Sequence, residues 1–374
     1  MLRLVLLFAL LPFASGCALL PGSSRRPLAL EDVDAALATA GEELAANRPL
    51  DALERLERVH RTRTISPENR QAADVLTRAA LDQAIASERV DARDLTDVYG
   101  LELPRNARAR AGIAAAERLY ESDRPVSAYK QVRKVELALP AHPERARAGD
   151  LLARVGFDLI ERDGRYFLIL SYRARGLEAL EFFVVHYPFH PACEEAYLRL
   201  AGAYEETGDY DDAIEHLEDL LVYHPESSVR EEVEARLPAL RLAMLAGRDY
   251  DRGELELAHA ELEGWLARNA GHPLEDDVRA TRVIALRRLA RSDLKLARYY
   301  ATIGVTFGVR FHATRALTEA EQADAAKEIA AAKELLERFP EGRENTDGEM
   351  VPLDKDALEL EDPLGPRLGP GQLP

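Results

Sequence analysis

Between residues 34 and 340, apolar positions recur three and four residues apart, and no stretch alternates in the manner of a half-buried strand. The pattern predicts helix throughout, and hence an all-α chain. Ala, Leu, Glu and Arg dominate the region and support helix without specifying how the helices pack. One stretch, "RVDARDLTDVYGLELPRN", interrupts the periodicity. Toward the end, Thr318 with Glu321 three residues on has the form of a capping box. It predicts a helix that starts there and ends before Pro340.

Self-similarity decides between a bundle and a solenoid. In "EEAYLRLAGAYEETGDYDDAIEHLEDLLVYHPESS", the residues Tyr197, Leu200, Ala201, Tyr204, Gly208, Tyr210, Ala213, Leu217, Leu220 and Pro225 fall at the offsets of a tetratricopeptide repeat. Small Ala201 and Ala213 suit the close approach of two antiparallel helices, Gly208 suits the turn between them, and Pro225 suits the end of the second. Weaker copies of the second-helix pattern centre on Ala52, Ala128, Ala179 and Ala258. With Ala213 included, the steps are 76, 51, 34 and 45 residues. A further degenerate unit is read in "DLKLARYYATIGVTFGVRFHATRALTE". The expected architecture is a tetratricopeptide-type helical-repeat solenoid, whose helix pairs bury their faces against neighbours and leave an extended groove.

The ends of the chain add a setting. Met1-Leu2-Arg3, an apolar run from Leu4 to Phe13, and small Ala14, Ser15 and Gly16 follow the order of a secretory signal. That run is shorter than the roughly 20 residues a spanning helix needs. Ala-Ser-Gly-Cys resembles the bacterial lipobox, with Ala14 where leucine is usual, and makes Cys17 the expected lipidation site. A conventional signal cut at the same bond is the alternative. Residues 1–16 are thus read as signal peptide, 17–33 as tether, 34–110 as an additional helical region, 111–340 as the repeat domain, and 341–374 as an acidic, Pro- and Gly-rich tail expected to be disordered. The formal net charge of −17 argues against a nucleic-acid partner. The chain's other cysteine is Cys193, so a lipidated Cys17 leaves no intramolecular disulfide.

"LPAHP", echoed by "YPFHP", each after a second helix, and "LKLARYYATIG" with its paired Tyr299 and Tyr300 join the leader ending in Cys17. Together these resemble the BamD family, the tetratricopeptide lipoproteins of the outer-membrane β-barrel assembly machinery, from about Ala111 to Pro340. The resemblance implies a lipid anchor on the periplasmic side of the outer membrane. It also implies binding to the barrel-assembly protein through later repeats, and receipt of unfolded outer-membrane proteins in a groove near the N-terminus. The chain departs from the family in its extra region before Ala111, an insertion after Ala316 and its acidic tail. A periplasmic adaptor organising another cell-envelope complex, for example one acting on peptidoglycan, is the alternative reading.

Candidate chemistry is sparse. His186, His190, Cys193 and Glu194 have metal-like types, but Pro188 breaks the helix that would put both histidines on one face, and a repeat boundary is the expected role. There is no Gly-rich phosphate loop after a strand, no HExxH and no GxSxG. The expectation is therefore a non-enzymatic chain with no catalytic residue, no metal and no cofactor. On repeat geometry, first-helix positions facing the groove include Glu195, Leu198, Glu205 and Glu206, with Tyr172 and Tyr250 at matching offsets in neighbouring units. Acid and aromatic lining suits a basic partner or an extended backbone.

Overall fold

A computed structural model describes residues 27–167, 170–245 and 252–341; Cys17, Tyr250 and the tail from 342 onward lie outside them. The described residues form fifteen α-helices, an all-α helical-repeat fold. The chain divides into two compact units between Leu151 and Leu152.

The first unit contains α1 (Val33–Ala45), α2 (Pro49–Arg61), α3 (Pro67–Ala86), α4 (Ala92–Tyr99), α5 (Arg105–Glu121), α6 (Pro125–Ala138) and the start of α7 (Arg145–Glu161). Proline opens α2, α3 and α6, where its missing N–H costs nothing and its fixed φ suits the helix. The interruption read at "RVDARDLTDVYGLELPRN" is itself helical: Asp91 and Asp94 form a reciprocal capping box that starts α4.

In the second unit, two short antiparallel strands follow the end of α7: β1 (Arg165–Phe167) and β2 (Leu170–Ser171), with Arg165 opposite Ser171. This hairpin departs from the expectation of helix throughout. Then come α8 (Tyr172–His186), α9 (Cys193–Thr207), α10 (Tyr210–Tyr223), α11 (Arg230–Met244), α12 (Arg252–Arg268), α13 (Glu275–Thr302), α14 (Thr306–Gln322) and α15 (Ala326–Arg338).

Helix pairing follows the repeat pattern. Ala52, Ala128, Ala179, Ala213 and Ala258 are all fully buried, each on the second helix of a pair. The turns carry the repeat as clearly as the helices do. At Asn47, Asp123, Gly208, Gly304 and Asp324 the backbone enters the left-handed region, with φ between 49° and 83°. At each, that residue's N–H bonds three residues back and the next N–H bonds five back, as in Gly208 to Glu205 and Asp209 to Tyr204. This is the Schellman closure, which satisfies the carbonyls a helix end leaves open. Gly, Asn and Asp are the residues that tolerate this backbone best.

The long α13 serves three cores, one of them through Leu286 and Ala290 against Ala320, Ala323 and Ala325. Its first half joins Leu255, Leu262 and Trp265 through Val278, Ala285 and Leu289, and its second half joins α14 and α15 through Leu294, Ala297 and Ala301. Thr318 does not start a helix. It lies inside α14, its hydroxyl donating to the Thr314 carbonyl, while the following helix begins at Ala326 after the Asp324 turn and does end before Pro340.

Candidate protein-interaction surface

Consecutive first helices are joined by ion pairs in which the acid stands on the earlier helix and the arginine on the later one. In the first unit these are Asp82–Arg110, from α3 to α5, and Glu117–Arg147, from α5 to α7. In the second they are Glu161–Arg199 at 3.6 Å, from α7 to α9, and Glu205–Arg236 at 2.6 Å, from α9 to α11. Two further arginines cap the preceding first helix. Arg118 donates to the carbonyls of Ile85 and Ser87 at the end of α3, and Arg288 donates to those of Leu242 and Leu245 at the end of α11.

Four of the sequence-predicted residues come together on α9. Glu195, Leu198, Glu205 and Glu206 follow helical spacing along one stripe, with Gly202 between them. A methyl group on Gly202 would find only Arg236 at 4.0 Å, so the stripe is open at its centre. Its acids are engaged within the molecule. Glu195 pairs with Arg199 at 3.2 Å, Glu205 with Arg236, and Glu206 with Arg173 of α8. Leu198 is half-buried. The stripe therefore presents alternating fixed charges rather than a purely acidic lining. Exposed pairs such as Glu195–Arg199 contribute little stability, roughly 0–1 kcal/mol, and remain free to exchange partners.

Tyr172 is not on a first helix: it is the first residue of α8, a second helix. Its N–H donates to Gly164, its ring lies 5.7 Å from Tyr166, and the Arg162 guanidinium is 5.9 Å from its ring centre. Tyr250 and Cys17 are outside the described residues.

The His186–Cys193 region resolves into turn chemistry. His186 accepts no metal geometry; its Nδ1 lies 2.8 Å from the Phe182 carbonyl and its ring stacks on Phe182. His190 Nδ1 accepts the Ala192 N–H, and the Cys193 thiol donates to the Tyr187 carbonyl at 2.9 Å. Burial pushes that thiol up to about 12, the hydrogen bond from the His190 backbone only partly opposing it. Among the described residues no group of three or more His, Cys, Asp or Glu is placed to hold a metal ion, and no helix is long and apolar enough to cross a membrane.

The turn at His190 recurs. His142 Nδ1 accepts from Glu144, and His272 Nδ1 accepts from Leu274, each two residues on and each just before a first helix. Ser227 Oγ takes the same place by accepting from Val229. The echo between "LPAHP" and "YPFHP" is thus one capping turn used repeatedly, and "GHP" at 271–273 is another copy that the sequence pattern alone did not bring out.

Three observations now stand together: paired helices with a fully buried alanine in the second, Schellman turns between them, and side-chain-capped turns from one pair to the next. Residues 195–227 match the tetratricopeptide repeat family. No curated protein matches the chain. The matched tetratricopeptide unit is α9 and α10 with the turn after them, and α9 is the helix that carries the stripe. Repeats of this kind are typically protein-interaction scaffolds.

The sequence reading missed two features nearby. Asp293, in the middle of α13, is fully buried and gathers Arg252 at 2.7 Å and His312 at 2.7 Å, with Arg315 at 3.6 Å. Arg252 also holds Glu319 at 2.7 Å and Glu256 at 2.9 Å. Burial works against the Arg252 charge, yet its bond to Glu319 and the charge of Asp293 hold its pKa above the ordinary arginine value. Burial pushes the Glu319 carboxyl above the usual carboxylate range, with Arg252 drawing it back. The second missed feature is an exposed row of rings on α13 and α14. Phe307 and Phe311, four apart in an otherwise polar face, are the sequence trace of it.

Proposed function

We propose that the chain is a non-enzymatic, lipid-anchored scaffold of the BamD type, which assists insertion of β-barrel proteins into the outer membrane by protein–protein binding. The observation that carries this reading is the tetratricopeptide unit at 195–227, set among stacked helix pairs, in a chain whose leader closes on Ala14-Ser15-Gly16-Cys17. In this reading Cys17 bears the lipid and holds the protein on the periplasmic side of the outer membrane. Its partners are the barrel-assembly protein and unfolded outer-membrane proteins. The stripe of Glu195, Leu198, Glu205 and Glu206 suits such partners, because its exposed Glu195–Arg199 pair can open to an incoming backbone or basic side chain at small cost.

The test is a crosslinked pull-down of the tagged full-length protein from solubilised envelope, beside a Cys17→Ala variant, with the captured proteins identified by mass spectrometry. Recovery of the barrel-assembly protein with the outer-membrane fraction, and release of the variant from membrane, is the expected outcome. Equal solubility of the two chains and capture of peptidoglycan-acting proteins instead would replace this reading with the periplasmic adaptor.

A further inference from the structure

The exposed rings form one continuous row. Tyr299 meets Tyr300 at 5.7 Å, Tyr300 stacks on His312 at 5.4 Å, Phe311 meets His312 edge-on at 5.0 Å, and Phe311 stacks with Phe307 at 6.3 Å. Its inner members are packed down, with Tyr300 lying directly over Gly308, where no side chain would fit. Its outer members are not: Phe307 is 80% exposed, Tyr299 59% and Phe311 47%. Ile303, at 48%, extends the row into the turn between α13 and α14. Contiguous apolar surface of this kind marks a binding face.

The end of the described chain lies on the same element. The Phe339 carbonyl, capping α15, accepts from Arg310 Nη1 at 3.0 Å, and the Glu341 carboxylate stands 3.9 Å from the same guanidinium. Arg310 is three residues after Phe307 on α14, so the described chain ends, at Glu341, against the helix that carries the rings. The 33 residues that follow contain eight acids and three basic residues, and their apolar members include Met350, Val351, Leu353, Leu358 and Leu360. Nine extended residues, 342–350, reach about 30 Å, whereas the whole of α14 is about 25 Å long. Two arginines border the row: Arg310, which also holds the Phe339 carbonyl, and Arg315, whose guanidinium lies 5.6 Å from the Phe311 ring centre and 2.8 Å from Glu256.

We propose that residues 349–362 of this chain dock on the ring row, with Met350, Leu353, Leu358 and Leu360 covering Phe307, Phe311 and Tyr299 and the intervening acids facing Arg310 and Arg315. Tethering makes the contact intramolecular, so a weak interface suffices to keep it closed. The inference is independent of the partner assigned above.

Hydroxyl-radical footprinting of the full-length protein tests it, reading oxidation of Phe307, Phe311 and Tyr299 by mass spectrometry against Phe189. Phe189 is 76% exposed in the same unit and serves as an internal reference. Wild type is compared with a full-length chain bearing Met350→Ser, Leu353→Ser, Leu358→Ser and Leu360→Ser, changes that lie outside every described contact. The expected result is oxidation of the three rings severalfold slower in wild type than in the variant, at every protein concentration. Equal rates in the two chains would overturn the proposal. So would protection that grows with protein concentration and survives the tail substitutions, which would make a second copy the occupant.

Discussion

His142 uses both nitrogens of one ring. Nδ1 accepts the Glu144 N–H, which leaves Nε2 to carry the proton donated to the Glu136 carboxylate at 2.7 Å, while Arg145 binds the other carboxylate oxygen at 2.9 Å. The tautomer is set by the turn, and a buried acid is satisfied by it. A histidine before a proline was readable as a motif; that its ring nitrogen caps a helix was not, because the same place accepts Ser227 in another turn. His60 differs, since burial holds it below the ordinary histidine value, with Asp74 pulling upward and Arg70 downward. The folded chain then binds fewer protons than the unfolded one. Its contribution is complete above the ordinary value of 6.5 and is lost as pH falls through the folded value. Denaturant midpoints of the first unit should therefore drop more between about pH 7 and pH 5 in wild type than in His60→Gln, which can keep the bond to Thr77; parallel curves would refute the assignment. Cys193 carries a prediction of its own. In a Cys17→Ala background, thiol labelling at pH 8 should proceed only at the rate of unfolding, because the folded thiol is buried, protonated and hydrogen-bonded. Labelling faster than unfolding would contradict that environment.

Among the elements, α7 and α8 cross with backbone close to backbone at Gly176. A methyl group on Gly176 would stand 2.7 Å from the Ile160 nitrogen, 2.8 Å from its Cγ1 and 3.0 Å from the Gly156 carbonyl oxygen, and the two backbone atoms cannot yield. Gly176→Ala should destabilise the second unit by about 1–3 kcal/mol. Gly202→Ala, with open space above it on α9, should instead stabilise by up to about 1 kcal/mol through helix propensity. Chemical denaturation of the two variants separates the cases, and equal signs would sink the packing account. Helices were legible because their buried faces repeat. The Thr318–Glu321 pattern misled because Val309, Ala313, Ala316 and Ala320 continue one buried stripe straight through it, so packing carried α14 past a local start signal. The β1–β2 hairpin was illegible for another reason: a short apolar run such as Tyr166–Leu170 has too few residues for any period to declare itself. On α9 the positions of Glu195, Leu198, Glu205 and Glu206 could be read from spacing, but the arginines that hold Glu206 and Glu205 come from α8 and α11 and needed the fold.

In the molecule as a whole, stability is shared between apolar cores and buried charge. Asp293 ties α12, α13 and α14 through Arg252 and His312, and its removal leaves Arg252 without its most buried partner. Asp293→Ala should cost about 3–5 kcal/mol in the second unit. Adding Arg252→Met should recover part of that loss, because the stranded charge goes with it. Strict additivity of the two losses in denaturation would dissolve the network. The five Schellman turns have the opposite character. Each closes through main-chain atoms alone and asks only for Gly, Asn or Asp at one position, so it places no demand on the length or the side chains of the helices it joins. It behaves as a universal coupling: helices of 13 and of 28 residues are joined by the same two N–H to C=O bonds. The 51-residue step from Ala128 to Ala179 takes in the β1–β2 hairpin, so uneven spacing enters between the couplings and not inside them.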